Sequence, residues 1–292
     1  MLNPFTIGIA QGISGLPLFS GMGYRLFVWL VSTGVGTAMV MVYAAKVKRQ
    51  PEASPVYALD KARPAVAASP DPGSTGLSAP HRLIAVLFLV ALAVMILGVM
   101  KFHWFIPEIA AVFLGLGIAT GIAARLSVND IAESFVAGAR DLVGAALVVG
   151  FARAILVVAS DGQIIDTMMF ALSRAIARVH PVFAAQLMYV AQTVLNFFVP
   201  SGSGKAALTM PIMAPLADLI GITRQTAVLA YQLGDGYTNM IIPTSGVTMA
   251  VLGMAKIPWE QWARWLLPIE IALFVLGLLL VVPPVLFKWG PF

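Results

Sequence analysis

Apolar residues run along this chain in blocks as long as a membrane crossing, not at the spacing of a soluble core. A helix rises about 1.5 Å per residue, so a ~30 Å hydrocarbon layer takes roughly 20 residues. Clean spans of that length are predicted at 26–45, 83–100, 105–124 and 265–287. Less regular apolar stretches, at 142–160, 182–199, 206–220 and 225–252, are interrupted by Gly, Pro or a charge. Two segments alternate charge with apolar positions instead. One is 128–142, with Asp130, Glu133, Arg140 and Asp141; the other is 163–179, with Asp166, Arg174 and Arg178 beside Ile164, Ile165, Met168, Met169 and Leu172. Both read as amphipathic helices near an interface, or alternatively as extensions of the adjoining spans.

From 46 to 82 the pattern lapses. This stretch is rich in Pro, Ala and Ser with no sustained apolar period, which predicts a solvated, disordered linker. It and its border carry Lys46, Lys48, Arg49, Lys61, Arg63 and Arg82, so the positive-inside rule places it in the cytoplasm. Alternating outward from there puts ten of 18 Lys and Arg inside, Arg25 outside, and Arg153 and Lys205 at membrane depth.

Composition agrees with the pattern. The chain has 292 residues, 60% hydrophobic and only 11% charged, where a soluble domain carries about 25% charged residues. A soluble enzyme, a disordered chain and a nucleic-acid-binding protein are thereby excluded, and the net charge of +5 reports orientation signals rather than a nucleic-acid surface. With no cysteine there are no disulfides, thiolate metal sites or cysteine nucleophiles. No basic region, apolar core and small-residue cleavage site open the chain, so no signal peptide is expected. His81, His103 and His180 sit at predicted interfaces, and the 14 Met are scattered through apolar runs as packing.

An internal repeat is legible. A Gly-rich stretch from Pro4 to Arg25 precedes one long apolar span, and a similar stretch from Pro243 to Arg264 precedes another. Each pair is separated by 21 residues (25 − 4 and 264 − 243). Nothing before the first copy matches the region from about 83 to 242. The expected organisation is therefore the tail of a first repeat at 1–45, the linker at 46–82 and a whole second repeat at 83–292.

Two segments carry candidate chemistry. In the first, Asn196 to Pro211, a proline and the run Ser201-Gly202-Ser203-Gly204 interrupt two apolar arms with no aqueous-length loop. Irregular backbone at membrane depth needs protein or a water-filled cavity to satisfy it, so 182–220 reads as a re-entrant hairpin. Its tip would offer N–H groups to anions and oxygens to Na⁺. Two ordinary helices joined by an external turn are the alternative. The GSGK string is not a phosphate loop, because Val199 and Ala206 stand where that motif needs Gly and Ser or Thr. In the second segment, 225–258, glycines and Pro243 break an apolar run near Asn239, Thr244 and Ser245. An unwound helix there would present those oxygens to a midplane site; a plain proline kink is the competing account. Asp235 is an intramembrane carboxylate, functional or paired by default. It can couple H⁺ or Na⁺, hold a cationic substrate, or simply balance Lys205. Arg153 falls mid-span and either snorkels or faces a carboxylate.

The strings NFFVPSGSGKAALTMPIMAPLAD (196–218), GDGYTNMIIPTSG (234–246) and NPFTIGIAQGISGLPLFSGMG (3–23) resemble the C4-dicarboxylate anaerobic carrier-like family of the ion transporter superfamily, in its YfcC-like, basic amino acid antiporter branch. The resemblance covers nearly the whole chain except the linker. It implies an all-α polytopic carrier of two inverted repeats, each with a re-entrant hairpin and a broken helix around one site. Family members are considerably longer, so the chain is expected to be truncated at its N-terminus, cut just upstream of Asn3 and Pro4. By resemblance, Ser201, Gly202, Ser203 and Gly204 form the hairpin tip, and Asn239, Pro243, Thr244 and Ser245 the broken helix. Lys205 stands where a neutral polar residue is expected.

The implied activity is secondary transport of a dicarboxylate or amino acid across the cytoplasmic (inner) membrane, by ion coupling or exchange. An orphan half-carrier or a channel is the alternative; an enzyme is disfavoured because no catalytic constellation is present. The expected binding residues are Asn196, Ser201, Gly202, Ser203, Gly204, Lys205, Asp235, Asn239, Pro243, Thr244 and Ser245, with no metal and no cofactor beyond Na⁺ or H⁺ as coupling ion. Expected partners are that substrate, the lipid bilayer and further copies of the chain, not nucleic acid.

Overall fold

The computed structural model describes residues 3–62, 79–102, 104, 106–176 and 179–290, and these contain helices and turns but no strand. In chain order a π-helical turn at Pro4–Gly8 leads into α1 (Ile9–Ile13), α2 (Met22–Arg49), a 3₁₀ turn at Pro51–Ala53 and α3 (Tyr57–Ala62). Then follow α4 (Ala79–Phe102), α5 (Ile106–Ala123), α6 (Val128–Asp161), α7 (Ile164–Ile176) and α8 (Pro181–Phe198). The last five are α9 (Gly202–Leu219), α10 (Arg224–Thr238), α11 (Gly246–Ala255), α12 (Trp259–Leu280) and α13 (Val282–Leu286). Stretches at Met22–Arg49, Ala79–Gly98, Pro181–Phe198 and Trp259–Leu286 are long and apolar enough to cross a bilayer. On α2, Phe27, Trp29 and Leu30 are about half exposed, as a lipid-facing surface requires.

The helices fall into two compact units. One comprises 62–143, where α4 packs along α5. Its interhelical turn is tight: a side chain at Gly98 would collide with the Trp104 ring, and one at Gly121 would meet Ile131 at 2.7 Å. Ser127 caps α6, its hydroxyl 2.6 Å from the Asp130 carboxylate, and that hydrogen bonding holds the exposed Asp130 carboxyl below its ordinary value.

The second unit, 1–61 with 144–292, is built around α10. Of its fifteen residues, thirteen are buried, from Gln225 to Thr238. Close approach to α8 depends on Gly234, where a Cβ would lie 2.7 Å from Gln192 Cβ and 2.8 Å from the Thr193 backbone N. Gly277 plays the same part between α12 and α8, since a Cβ there would meet Tyr189 Oη at 2.5 Å. The N-terminal turn and α1 lie on α9 and α10.

Several expectations are corrected. Val128–Asp161 form one 34-residue helix, α6, so 128–142 extends the adjoining stretch rather than lying apart as an interfacial helix; Gly138 and Gly144 sit at the junction without breaking it, and no Pro interrupts it. Within 163–179 the amphipathic reading holds: Ile164–Ile176 form a separate helix, α7, burying Ile165, Met169 and Ile176. The stretch expected to be disordered from 46 onward is helical through Arg49 and again at Tyr57–Ala62. It is held because Pro55 and Val56 share an apolar groove with Tyr43, Trp262 and Trp265. Arg63 and the remainder of the linker to residue 78 lie outside the described residues.

Arg25, expected outside in water, is fully buried. Its guanidinium donates to Gln232 Oε1 at 2.7 Å and Gln225 Oε1 at 2.8 Å, and lies 5.3 Å from the Trp289 ring centroid. Neutral acceptors and an aromatic face replace hydration there. Arg264, at the matching place in the second copy, is exposed.

Candidate functional site

The two arms of the expected hairpin are the helices α8 and α9, joined at 199–201. They share little surface with one another, and both lie on α10 instead. Val199, extended ahead of Pro200 (φ −126°, ψ 76°), ends α8. Ser201 caps α9, its Oγ accepting from Gly204 N at 3.3 Å. Only glycine fits at 202: a Cβ would lie 2.6 Å from Thr6 Cγ2 and 3.1 Å from Asp235 Oδ2. The N-terminal turn, the hairpin tip and the carboxylate on α10 therefore converge at one point.

Lys205, one turn into α9, is fully buried. Its Nζ donates to Asn196 Oδ1 at 2.7 Å, sits 3.1 Å from Asp235 Oδ1 and lies 5.4 Å from the Tyr231 ring centroid. The contact to Asp235 is an ion pair outside good hydrogen-bond geometry, which leaves Asp235 Oδ1 without a hydrogen-bond donor. Asn196 completes the link, donating to Thr238 Oγ1 at 2.8 Å, Asn239 Oδ1 at 3.0 Å and the Asp235 carbonyl at 3.4 Å. Tyr231 donates to the Gly202 carbonyl at 2.6 Å. The pair thus ties α8, α9 and α10 together. Its two members differ in access: the Lys205 side chain is 0% exposed and that of Asp235 12%.

The helix break is equally well satisfied. Thr238 bonds back to the Gly234 carbonyl at 2.7 Å, ending α10. Thr244 donates to the Phe197 carbonyl at 2.8 Å, Thr248 to the Asn239 carbonyl at 2.5 Å, and Ser245 caps α11. Pro243, half-buried, has no N–H to leave unpaired in this turn.

Of the residues expected to bind, Asn196, Gly202, Lys205, Asp235 and Asn239 come together. Ser201, Thr244 and Ser245 instead direct their hydroxyls to backbone groups, and Ser203 and Gly204 are exposed at the tip. The sequence reading missed Thr6, Tyr231 and Thr238. Tyr231 and Thr238 lie four before and three after Asp235, on its helix face, and Thr6 follows Pro4 by two residues as Ser245 follows Pro243. Those spacings were the available signals. Among the described residues no three His, Asp or Glu side chains converge as a metal site; single carboxylates and neutral oxygens are what a cation would meet.

The fold and this site define a multi-pass, all-helical membrane protein whose polar residues gather where α8 gives way to α9 and α10 to α11. The model of the C4-dicarboxylate anaerobic carrier family matches residues 1–285. The chain belongs to that family. It is 38% identical over 295 residues to the "Putative basic amino acid antiporter YfcC" of Escherichia coli (strain K12), covering 97% of this chain and 57% of that protein. An "Uncharacterized protein" of Haemophilus influenzae (strain ATCC 51907 / DSM 11121 / KW20 / Rd) is 34% identical over 283 residues, covering 96% of this chain and 55% of that one. The chain spans about half the length of these curated relatives. No solved structure matches it.

Proposed function

We propose that this chain carries the substrate site of a secondary transporter for amino acids, coupled to an ion gradient or to exchange. The observation that supports the reading is the asymmetry of the buried ion pair. Lys205 is enclosed, its ammonium hydrogen-bonded to Asn196 and paired with Asp235. The Asp235 carboxylate is the member that reaches the surface, beside the first turn of α9. An amino acid can answer both features: its ammonium, or a basic side chain, pairs with Asp235. Its carboxylate takes the first-turn N–H groups of Gly202 and Ser203, which have no intrahelical partners. A dicarboxylate would place a second negative charge against Asp235. The relative described as a basic amino acid antiporter fits the same chemistry.

The test is equilibrium binding of radiolabelled lysine and succinate to the purified protein in lipid nanodiscs. Lysine is expected to bind and to lose affinity in Asp235→Asn. Succinate binding that exceeds lysine binding and survives Asp235→Asn would overturn the amino acid reading. Saturable uptake of the bound substrate into proteoliposomes, accelerated by substrate trapped inside, separates a carrier from a channel.

A further inference from the structure

A second carboxylate, Glu270, lies in the middle of what the sequence presents as an apolar span. It is eleven residues from the start of α12 and ten from its end, so about 16 Å of helix separates it from either terminus. That distance is beyond the reach of a glutamate side chain seeking water. Glu270 is 7% exposed, and neither carboxylate oxygen has a hydrogen-bond partner among the described residues.

No cation faces it among the described residues, and the packing accounts for each neighbour. From α8 comes Tyr189, whose hydroxyl sits at Gly277 and whose ring lies 5.3 Å from Phe274. Both positions are on the Glu270 face of α12, at i+7 and i+4. From α10 comes Tyr237, whose hydroxyl is 2.6 Å from Ser32 Oγ of α2. Both tyrosines are within electrostatic reach of Glu270. On α2, Tyr24 bonds to the Leu280 carbonyl and Tyr43 packs on Trp265. Between those two contacts, residues 26–42 of α2 carry no charged side chain. The α13 segment has no titratable residue. Of the other charges on these elements, Asp235 is engaged with Lys205, Arg224 with Asp218 and Arg25 with two glutamines, while Lys46, Lys48 and Arg49 are exposed in the last turn of α2. On α12 itself Arg264 is exposed and Glu260 lies at the helix start.

Gln192 adds a second orphan in the same layer. Gln186 bonds to the Leu278 carbonyl and Tyr189 meets Phe274, so α8 runs antiparallel to α12. One turn further along α8, Gln192 comes level with Glu270. It is 1% exposed, and both its amide atoms lack partners. An ionised carboxylate in such surroundings is costly, whereas a protonated one is neutral and can donate a hydrogen bond. Ser32 donates its hydroxyl proton to the Val28 carbonyl at 2.7 Å and therefore accepts from Tyr237.

We propose that Glu270 is a proton-binding site, holding an exchangeable proton in the core formed by α2, α8, α10 and α12, separate from the Lys205–Asp235 pair. Its role as the coupling site rests on the transporter reading above; its protonation does not.

The test is an infrared pH titration of the purified chain in lipid. The wild type is expected to show the carbonyl band of a protonated carboxylic acid that disappears as pH is raised. Glu270→Gln should remove the band and Asp235→Asn should retain it. Replacing Na⁺ with choline should leave the band unchanged. A band that persists in Glu270→Gln, its absence from the wild type at every pH, or its loss on adding Na⁺ at constant pH would each overturn the proposal. Where Glu270→Gln disrupts folding, Tyr237→Phe serves instead and should displace the pH midpoint; an unmoved midpoint counts against the site. In proteoliposomes, Glu270→Gln should keep exchange and lose uptake driven by a pH gradient. Absence of wild-type uptake with the band intact would refute the transporter reading and leave the proton site standing.

Discussion

Asp235 and Glu270 are buried almost equally, 8% and 7% exposed, and they meet the cost of a charge away from water in opposite ways. Asp235 has an ammonium at 3.1 Å, itself held by Asn196 and flanked by Tyr231. Glu270 has two tyrosines and an unpaired glutamine in its layer and, among the described residues, no cation. One carboxylate is stabilised as an ion by pairing, the other by giving up its charge. The difference teaches that burial alone does not decide what a carboxylate contributes. What decides is whether its removal leaves another charge behind.

The largest expected effect follows directly. Asp235→Asn or Lys205→Gln alone strands the remaining ion, and each is expected to cost about 3–5 kcal/mol of stability. The double variant Asp235→Asn with Lys205→Gln should recover most of that loss, because no charge is left buried alone. Urea unfolding in detergent micelles measures it, and a double variant no more stable than the single ones would show that the pair is not compensating.

Next in size is Gly234→Ala, which brings a methyl against Gln192 and the Thr193 backbone. Overpacking of this kind costs about 1–3 kcal/mol, and by separating α8 from α10 it should also weaken substrate binding at Asn196 and Asp235. Unfolding and binding measured on the same preparation test both parts. A protein of wild-type stability would mean that the two helices have room to move apart.

Glu270→Gln sharpens the comparison by its expected smallness. A protonated acid and an amide have nearly the same shape, so the change should cost less than about 1.5 kcal/mol, the range of shape-conserving swaps. A loss as large as that of Asp235→Asn would mean that Glu270 is ionised and has a counter-charge. Smallest of all is Arg224→Gln at the exposed pair with Asp218, whose side chains are 39% and 49% exposed. Water already solvates both groups, so ~0.2–1 kcal/mol is expected, within the scatter of a thermal shift assay.

These contrasts also show how far the site was legible beforehand. Asp235 declares itself because glycines and a proline surround it in a stretch too polar for a plain span. Lys205 does so by following a Ser-Gly run. Glu270 does not, since eighteen hydrophobic residues between 265 and 287 mask one carboxylate, and a run of hydrophobic residues says nothing about which face each one takes. Thr6 and Tyr231 were missed for a related reason. Their places depend on where the N-terminal turn and the α10 face come to rest, a matter of packing across some two hundred residues. Arg25 was misplaced because counting basic residues by position assumes that each reaches water, and here two glutamines and a tryptophan ring substitute for it.

By itself the sequence determined the solvent this chain is built for, its all-helical class, the approximate limits of its long spans and the two places where helices must break. Length, hydropathy and the backbone demands of Gly and Pro are local properties, and hydrocarbon leaves the backbone few other solutions. The tertiary structure alone decided that the hairpin arms splay onto α10 and that Lys205 and Asp235 are partners. It alone left Glu270 without one among the described residues. Pairing depends on distances of a few ångströms between residues far apart in the chain. Those distances are set by which helix faces can approach, as Gly234 and Gly277 allow here, and no local pattern encodes them.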